Sequence, residues 1–240
     1  MAAEKRAYNA VCVECGAQGP GAAFVEYSPG NIKLKRCEDC GQVVDKYVEF
    51  EDLLVGVDVL LHKTSAHRHV IFNRAAPPVS SKATKALYAT TWPVIWAFCF
   101  NSMIEFYIRM YYIGDEVNPA VLVSALCAGA GFNLLAIAIG VAAARLCQQR
   151  QNFDPGALAR ALSLGSAPKA LFVVMSIWTY PRAFVLVLRA LTASCTAVSL
   201  HAAMRTVSRA TALFIALVVC AAQSAGGGIA LLDSYVEAEG

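Results

Sequence analysis

Charge is what this chain has least of. Only 15% of its 240 residues are Asp, Glu, Lys or Arg, where a soluble domain carries about a quarter. Apolar residues reach 58%, a balance that points into a bilayer. The net charge of +3 is too weak to suggest a nucleic-acid partner. The marks of catalysis are missing too. No Ser/His/Asp or Cys/His arrangement is legible, no glycine-rich phosphate loop follows a strand, and Glu105 has no acidic companion. An enzyme is therefore not expected. The first eleven residues include Glu4, Lys5, Arg6 and Asn9 with no apolar run behind them, so a cleaved leader is not expected either. Acidic residues vanish from His62 to Lys85, where Lys63, Arg68, Arg74, Lys82 and Lys85 all lie.

What is present is a paired cysteine pattern. Cys12-Val13-Glu14-Cys15-Gly16 and Cys37-Glu38-Asp39-Cys40-Gly41 stand with 21 residues between the two knuckles. Each Cys-x-x-Cys turn presents two thiolates, and the glycine behind it permits backbone geometry that aims amides at the sulfurs. Together they supply Cys12, Cys15, Cys37 and Cys40 as the four soft ligands of one closed tetrahedral Zn²⁺ site, structural because no position stays open. A RING cross-brace, and with it a ubiquitin ligase, would need eight ligands. The other five cysteines lie in or beside apolar runs and read as small hydrophobes, not as a secreted disulfide framework. Free thiols favour a reducing compartment, which places this head in the cytosol.

The fold expected is a small N-terminal zinc ribbon (β) followed by an α-helical multi-pass membrane domain. Residues 1–50 form the ribbon. Phe24 to Tyr27 and Ile32 to Lys35 flank the turn Ser28-Pro29-Gly30-Asn31 as a hairpin. So small a unit folds with help from its metal. Residues 51–85 make an interfacial, basic juxtamembrane segment. Its start, 51–62, is a helix carrying Leu53, Leu54, Val57, Leu60 and Leu61, and it either lies in the membrane interface or packs against the rest. Residues 86–240 are the membrane domain, with three or four spans at about 87–104, 119–144, 170–200 and 210–232. Between them, 145–169 reads as a basic loop facing the cytosol.

Beyond the second knuckle stand Asp45-Lys46-Tyr47-Val48-Glu49, then Asp58, Leu61, Lys63, Ala66-His67-Arg68-His69 and Phe72-Asn73. Over about residues 8–74 this order resembles the homology domain of the Arv family of endoplasmic-reticulum proteins. His67 stands where that pattern has tyrosine. The resemblance implies sterol homeostasis and sterol movement out of the endoplasmic reticulum, effects on sphingolipid balance, and support for glycosylphosphatidylinositol (GPI) anchor synthesis. It implies membrane lipids as partners: sterol, anionic headgroups, or a GPI intermediate. An alternative role is an accessory subunit docking on glycolipid-synthesis proteins of the endoplasmic reticulum.

Residues assigned to lipid or partner contact are Asp45, Lys46, Tyr47, Glu49, Asp58, Lys63, Arg68 and His69. The basic members suit anionic headgroups, each worth about 1 kcal/mol near a charged surface. A second metal at His62, His67 and His69 is not expected, since no carboxylate or thiol flanks them after Asp58.

Overall fold

The structure is a computed structural model describing residues 10–19, 21–74, 155–172, 184–204 and 208–225, with isolated positions between 95 and 138 and residue 177. Its first element is the expected hairpin. Strands β1 (Phe24–Ser28) and β2 (Asn31–Leu34) pair antiparallel, Phe24 opposite Leu34 and Glu26 opposite Ile32. The register slips between Glu26 and Ser28, where the chain tightens into Pro29-Gly30, and Gly30 takes φ +82°.

The two knuckles flank this hairpin and are built alike. In the first, Gly16 N donates to Cys12 O and Cys12 N to Ala17 O; in the second, Gly41 N donates to Cys37 O and Cys37 N to Gln42 O. Gly16 and Gly41 have φ of +81° and +72°. Left-handed backbone is needed at both places, and glycine adopts it without strain. One backbone bond, Val13 N to Val44 O at 2.8 Å, ties the first knuckle to the strand leaving the second.

A 3-10 turn, Lys46–Glu49, then leads into helix α1 (Asp52–Leu60) and helix α2 (Thr64–Arg68), which ends in a π turn, His69–Asn73. The corner between α1 and α2 turns at His62, which holds φ +60° although it is not glycine. Val55 and Val59 of α1 face inward with Val13, Tyr47, Ala66 and Cys195. Leu53, Leu54, Val57 and Leu61 face outward.

The carboxy-terminal part is helical: α3 (Pro155–Gly165), a 3-10 turn Ala167–Ala170, α4 (Phe184–Ala203) and α5 (Arg209–Ala225). One sequence expectation changes here. The basic loop placed at 145–169 contains α3. Its Ala157, Leu158, Ala161 and Leu162 recur at helical spacing and are all buried, Ala157 and Ala161 against Ile71 and Ala202. Arg160 is drawn in as well, its Nε donating to Ile71 O. Within the span placed at 170–200, α4 is described from Phe184, and Tyr180-Pro181-Arg182 lie outside the described residues. Among the described residues α4 is long and apolar enough to cross a membrane. The final candidate, 210–232, corresponds to α5 through Ala225. Those at 87–104 and 119–144, with Lys82, Lys85, Glu105 and Gly129, lie wholly or largely outside the described residues.

α4 is the centre of the assembly. It packs against α2, α3 and α5. Gly165 at the end of α3 meets it so closely that a Cβ there would lie 2.6 Å from Thr196 Oγ1 and 2.7 Å from Thr196 Cα. Two buried hydroxyls of α4 are satisfied inside the helix, Thr192 donating to Leu188 O and Thr196 to Thr192 O, each at 2.7 Å. That keeps a helix with four Ser and Thr compatible with an apolar setting.

Candidate metal centre and its anchorage

Four sulfurs converge between the knuckles. The Sγ atoms of Cys12, Cys15, Cys37 and Cys40 all lie within 4.8 Å of one another, with Cys12–Cys40 and Cys15–Cys37 both at 3.7 Å. A tetrahedral ion with metal–sulfur bonds of about 2.3 Å has sulfur–sulfur edges of about 3.8 Å. The residues therefore fit a metal ion of that size and geometry. Cys12 and Cys37 are buried on the inner side, and Cys15 and Cys40 are exposed. Backbone amides supply the electrostatics. Those of Cys40 and Asp39 draw the Cys37 thiol down to about 7. Ala17 N also donates to Cys15 Sγ at 3.4 Å.

The centre is fastened to the helices by polar contacts from the segment that follows. Asn73, 4% exposed, uses its whole amide: Oδ1 accepts from Val11 N at 2.9 Å, and Nδ2 donates to Val11 O at 2.8 Å and to Asp45 Oδ2 at 2.7 Å. The π turn thus holds the residue directly before Cys12. Asp45 is fully buried; it also accepts from Tyr47 N at 3.0 Å and from His69 Nδ1 at 2.7 Å. Arg68 donates to Val13 O at 3.0 Å and to Glu14 O, capping the first knuckle from α2. Tyr47, 2% exposed, donates from its hydroxyl to Asp58 Oδ2 at 2.9 Å. Lys63 pairs with Asp58 at 2.8 Å, and this partner above all holds the Asp58 carboxyl below its ordinary value.

Of the residues assigned to contact, Asp45, Tyr47, Asp58, Arg68 and His69 thus meet one another or the knuckle backbone. Lys46 and Glu49 are exposed, Lys46 pairing with Glu14 at 3.0 Å. The three neighbouring histidines go to three different partners. His69 takes Asp45, His62 Nε2 meets Ser194 Oγ at 2.8 Å, and His67 lies between Val59 O at 3.2 Å and Ser199 Oγ at 2.9 Å. A carbonyl only accepts, so His67 Nε2 carries the proton and Nδ1 accepts from the Ser199 hydroxyl. Burial pushes the His67 pKa down to about 4, which keeps the ring neutral.

Sequence reasoning missed Ser194 and Ser199, which receive the head on α4. Neither carries a local signal, since a serine in an apolar helix is unremarkable until its partner is known. Asn73 was visible as part of a pattern, but its pairing with Val11, 62 residues away, was not.

These parts define a cysteine-knuckle head locked to an apolar helical body by side chains of α1, α2 and the turns beside them. The chain belongs to the Arv1-like family, whose model matches residues 11–204. It is 48% identical to Protein ARV 2 of Arabidopsis thaliana over 73 residues, 30% of either chain. It is 34% identical to Protein ARV 1 of the same plant over 97 residues, 39% of this chain and 37% of that one. To Protein ARV1 of Homo sapiens it is 34% identical over 62 residues, 26% and 22% of the two lengths. The chain therefore spans about a third or less of these curated relatives. No solved structure matches it.

Proposed function

We propose that this chain is a non-enzymatic mediator of sterol and lipid homeostasis in the endoplasmic-reticulum membrane. It is a multi-pass protein whose cytosolic cysteine head holds one structural Zn²⁺. Membership in the Arv1-like family carries this reading; the four-sulfur geometry and the membrane-capable α4 support it. Zinc suits four thiolates in a closed tetrahedron, and its contribution there is to folding. The chain's own residues do the remaining work. Asn73, Asp45 and Arg68 hold the knuckles, and His62 and His67 fasten the head to α4. Lys63 and Arg74, both exposed at the outer side, face anionic headgroups. Through this arrangement the protein distributes sterol from the endoplasmic reticulum, with effects on sphingolipid balance and GPI-anchor synthesis.

Cells lacking the protein should redistribute sterol between internal and surface membranes, and Cys37→Ser should reproduce that loss at normal protein abundance. Unchanged sterol distribution in both strains would remove the reading.

A second reading, an accessory subunit of a glycolipid-synthesis complex, is favoured by a cavity of about 190 Å³ beside the knuckles. It is lined by Gln18, Lys35, Arg36, Glu38 and Asp39 among others, a polar seat for a partner chain. A stoichiometric biosynthetic complex purified in mild detergent, and lost on charge reversal of Lys35 and Arg36, would select it over direct lipid handling.

A further inference from the structure

The outward side of α1 is wholly aliphatic. At 100° per residue, Leu53, Leu54, Val57, Leu60 and Leu61 fall within one arc of about 120°. Four of them are 75%, 52%, 44% and 64% exposed, Leu53, Leu54, Val57 and Leu61 in that order. Phe50, just before the helix, extends the patch. On the opposite side only the smaller Val55 and Val59 turn inward. Charge is kept to the flanks and is neutralised there, Asp52 by Arg74 at 2.9 Å and Asp58 by Lys63. A helix bordering water sorts its side chains the other way, with its largest apolar residues inside.

The surroundings identify what covers this face. His62, next to Leu61, is bonded to Ser194 of α4. On α4 the exposed residues Val187 and Ala190 lie on the same face as Ser194, two turns and one turn toward the N-terminus. The exposed face of the membrane-capable helix thus borders the corner at which α1 ends.

We propose that α1 lies in the interfacial layer of the lipid bilayer, its leucines submerged about 5–10 Å at the headgroup boundary. The cysteine head is then held against the membrane and does not project from it on a stalk. The proposal holds whichever lipid the protein serves.

The test uses the full chain reconstituted in phosphatidylcholine/phosphatidylserine vesicles. Leu54→Trp on the outward arc is compared with Tyr27→Trp at the exposed hairpin end, each read as emission added over the parent's native tryptophans. Lipids brominated near the headgroup end of their acyl chains should cut the Leu54→Trp increment roughly twofold and leave that of Tyr27→Trp unchanged, as expected for shallow insertion. Iodide in the water should do the reverse. Equal quenching by iodide at both positions overturns the proposal. So does a Leu54→Trp signal shielded from both quenchers, which would mean that a second copy or a protein partner covers the face.

Discussion

Replacing Asn73 by alanine should loosen the metal centre without touching a sulfur. The side chain makes three hydrogen bonds, two of them to both backbone groups of Val11, itself 4% exposed. Its removal leaves a buried N–H and a buried C=O without partners, at about 1–3 kcal/mol each. Asp45 loses one of three donors but keeps Tyr47 N and His69. A total of roughly 4 kcal/mol follows. Because metal binding and folding of so small a head draw on the same free energy, apparent metal affinity should fall on the order of a thousandfold. The assay is competition with a chelating dye on detergent-purified protein, with exposed Glu49→Ala as control. Release of metal at the same chelator concentration from Asn73→Ala and from the parent would refute the anchoring role assigned to the π turn.

Three other outcomes are expected. His67 is neutral and buried with a pKa near 4 against an ordinary 6.5. The unfolded chain therefore binds the extra proton first, and stability present above pH 6.5 should decline by roughly 3 kcal/mol as pH falls toward 4; His67→Gln should flatten that slope in denaturant titrations, and an unchanged slope would contradict it. Gly165→Ala should lower the thermal midpoint by the equivalent of about 1–3 kcal/mol of overpacking, and Thr196→Ala should not restore it, because the Thr196 Cα itself is in the way. Tyr47→Phe removes the donor to Asp58 and should cost about 1–2 kcal/mol in chemical unfolding, with the Asp58 carboxyl titrating closer to its ordinary value in NMR spectra.

The head was readable because its determinants are local. Paired cysteines, a glycine after each pair and a Pro-Gly turn between alternating residues fix short-range geometry that no tertiary context overrides. The uses of Asp45, Tyr47 and His69 were not readable, since each depends on a partner 11 to 28 residues away, and a polar residue in a small domain looks the same whether it faces water or a buried amide. α3 escaped because half of its stripe is alanine, whose burial depends on what approaches it. For residues 51–62 the sequence allowed both an interfacial and a packed helix, and only the direction of the leucines could separate them.

The two histidine–serine contacts on α4 have a mechanical consequence. Ser194 and Ser199 are five residues apart, so they project about 140° from each other around the helix axis. His62 and His67 therefore grip the rod from two sides, like the jaws of a spanner. Neither rotation nor sliding of α4 can occur without breaking a jaw.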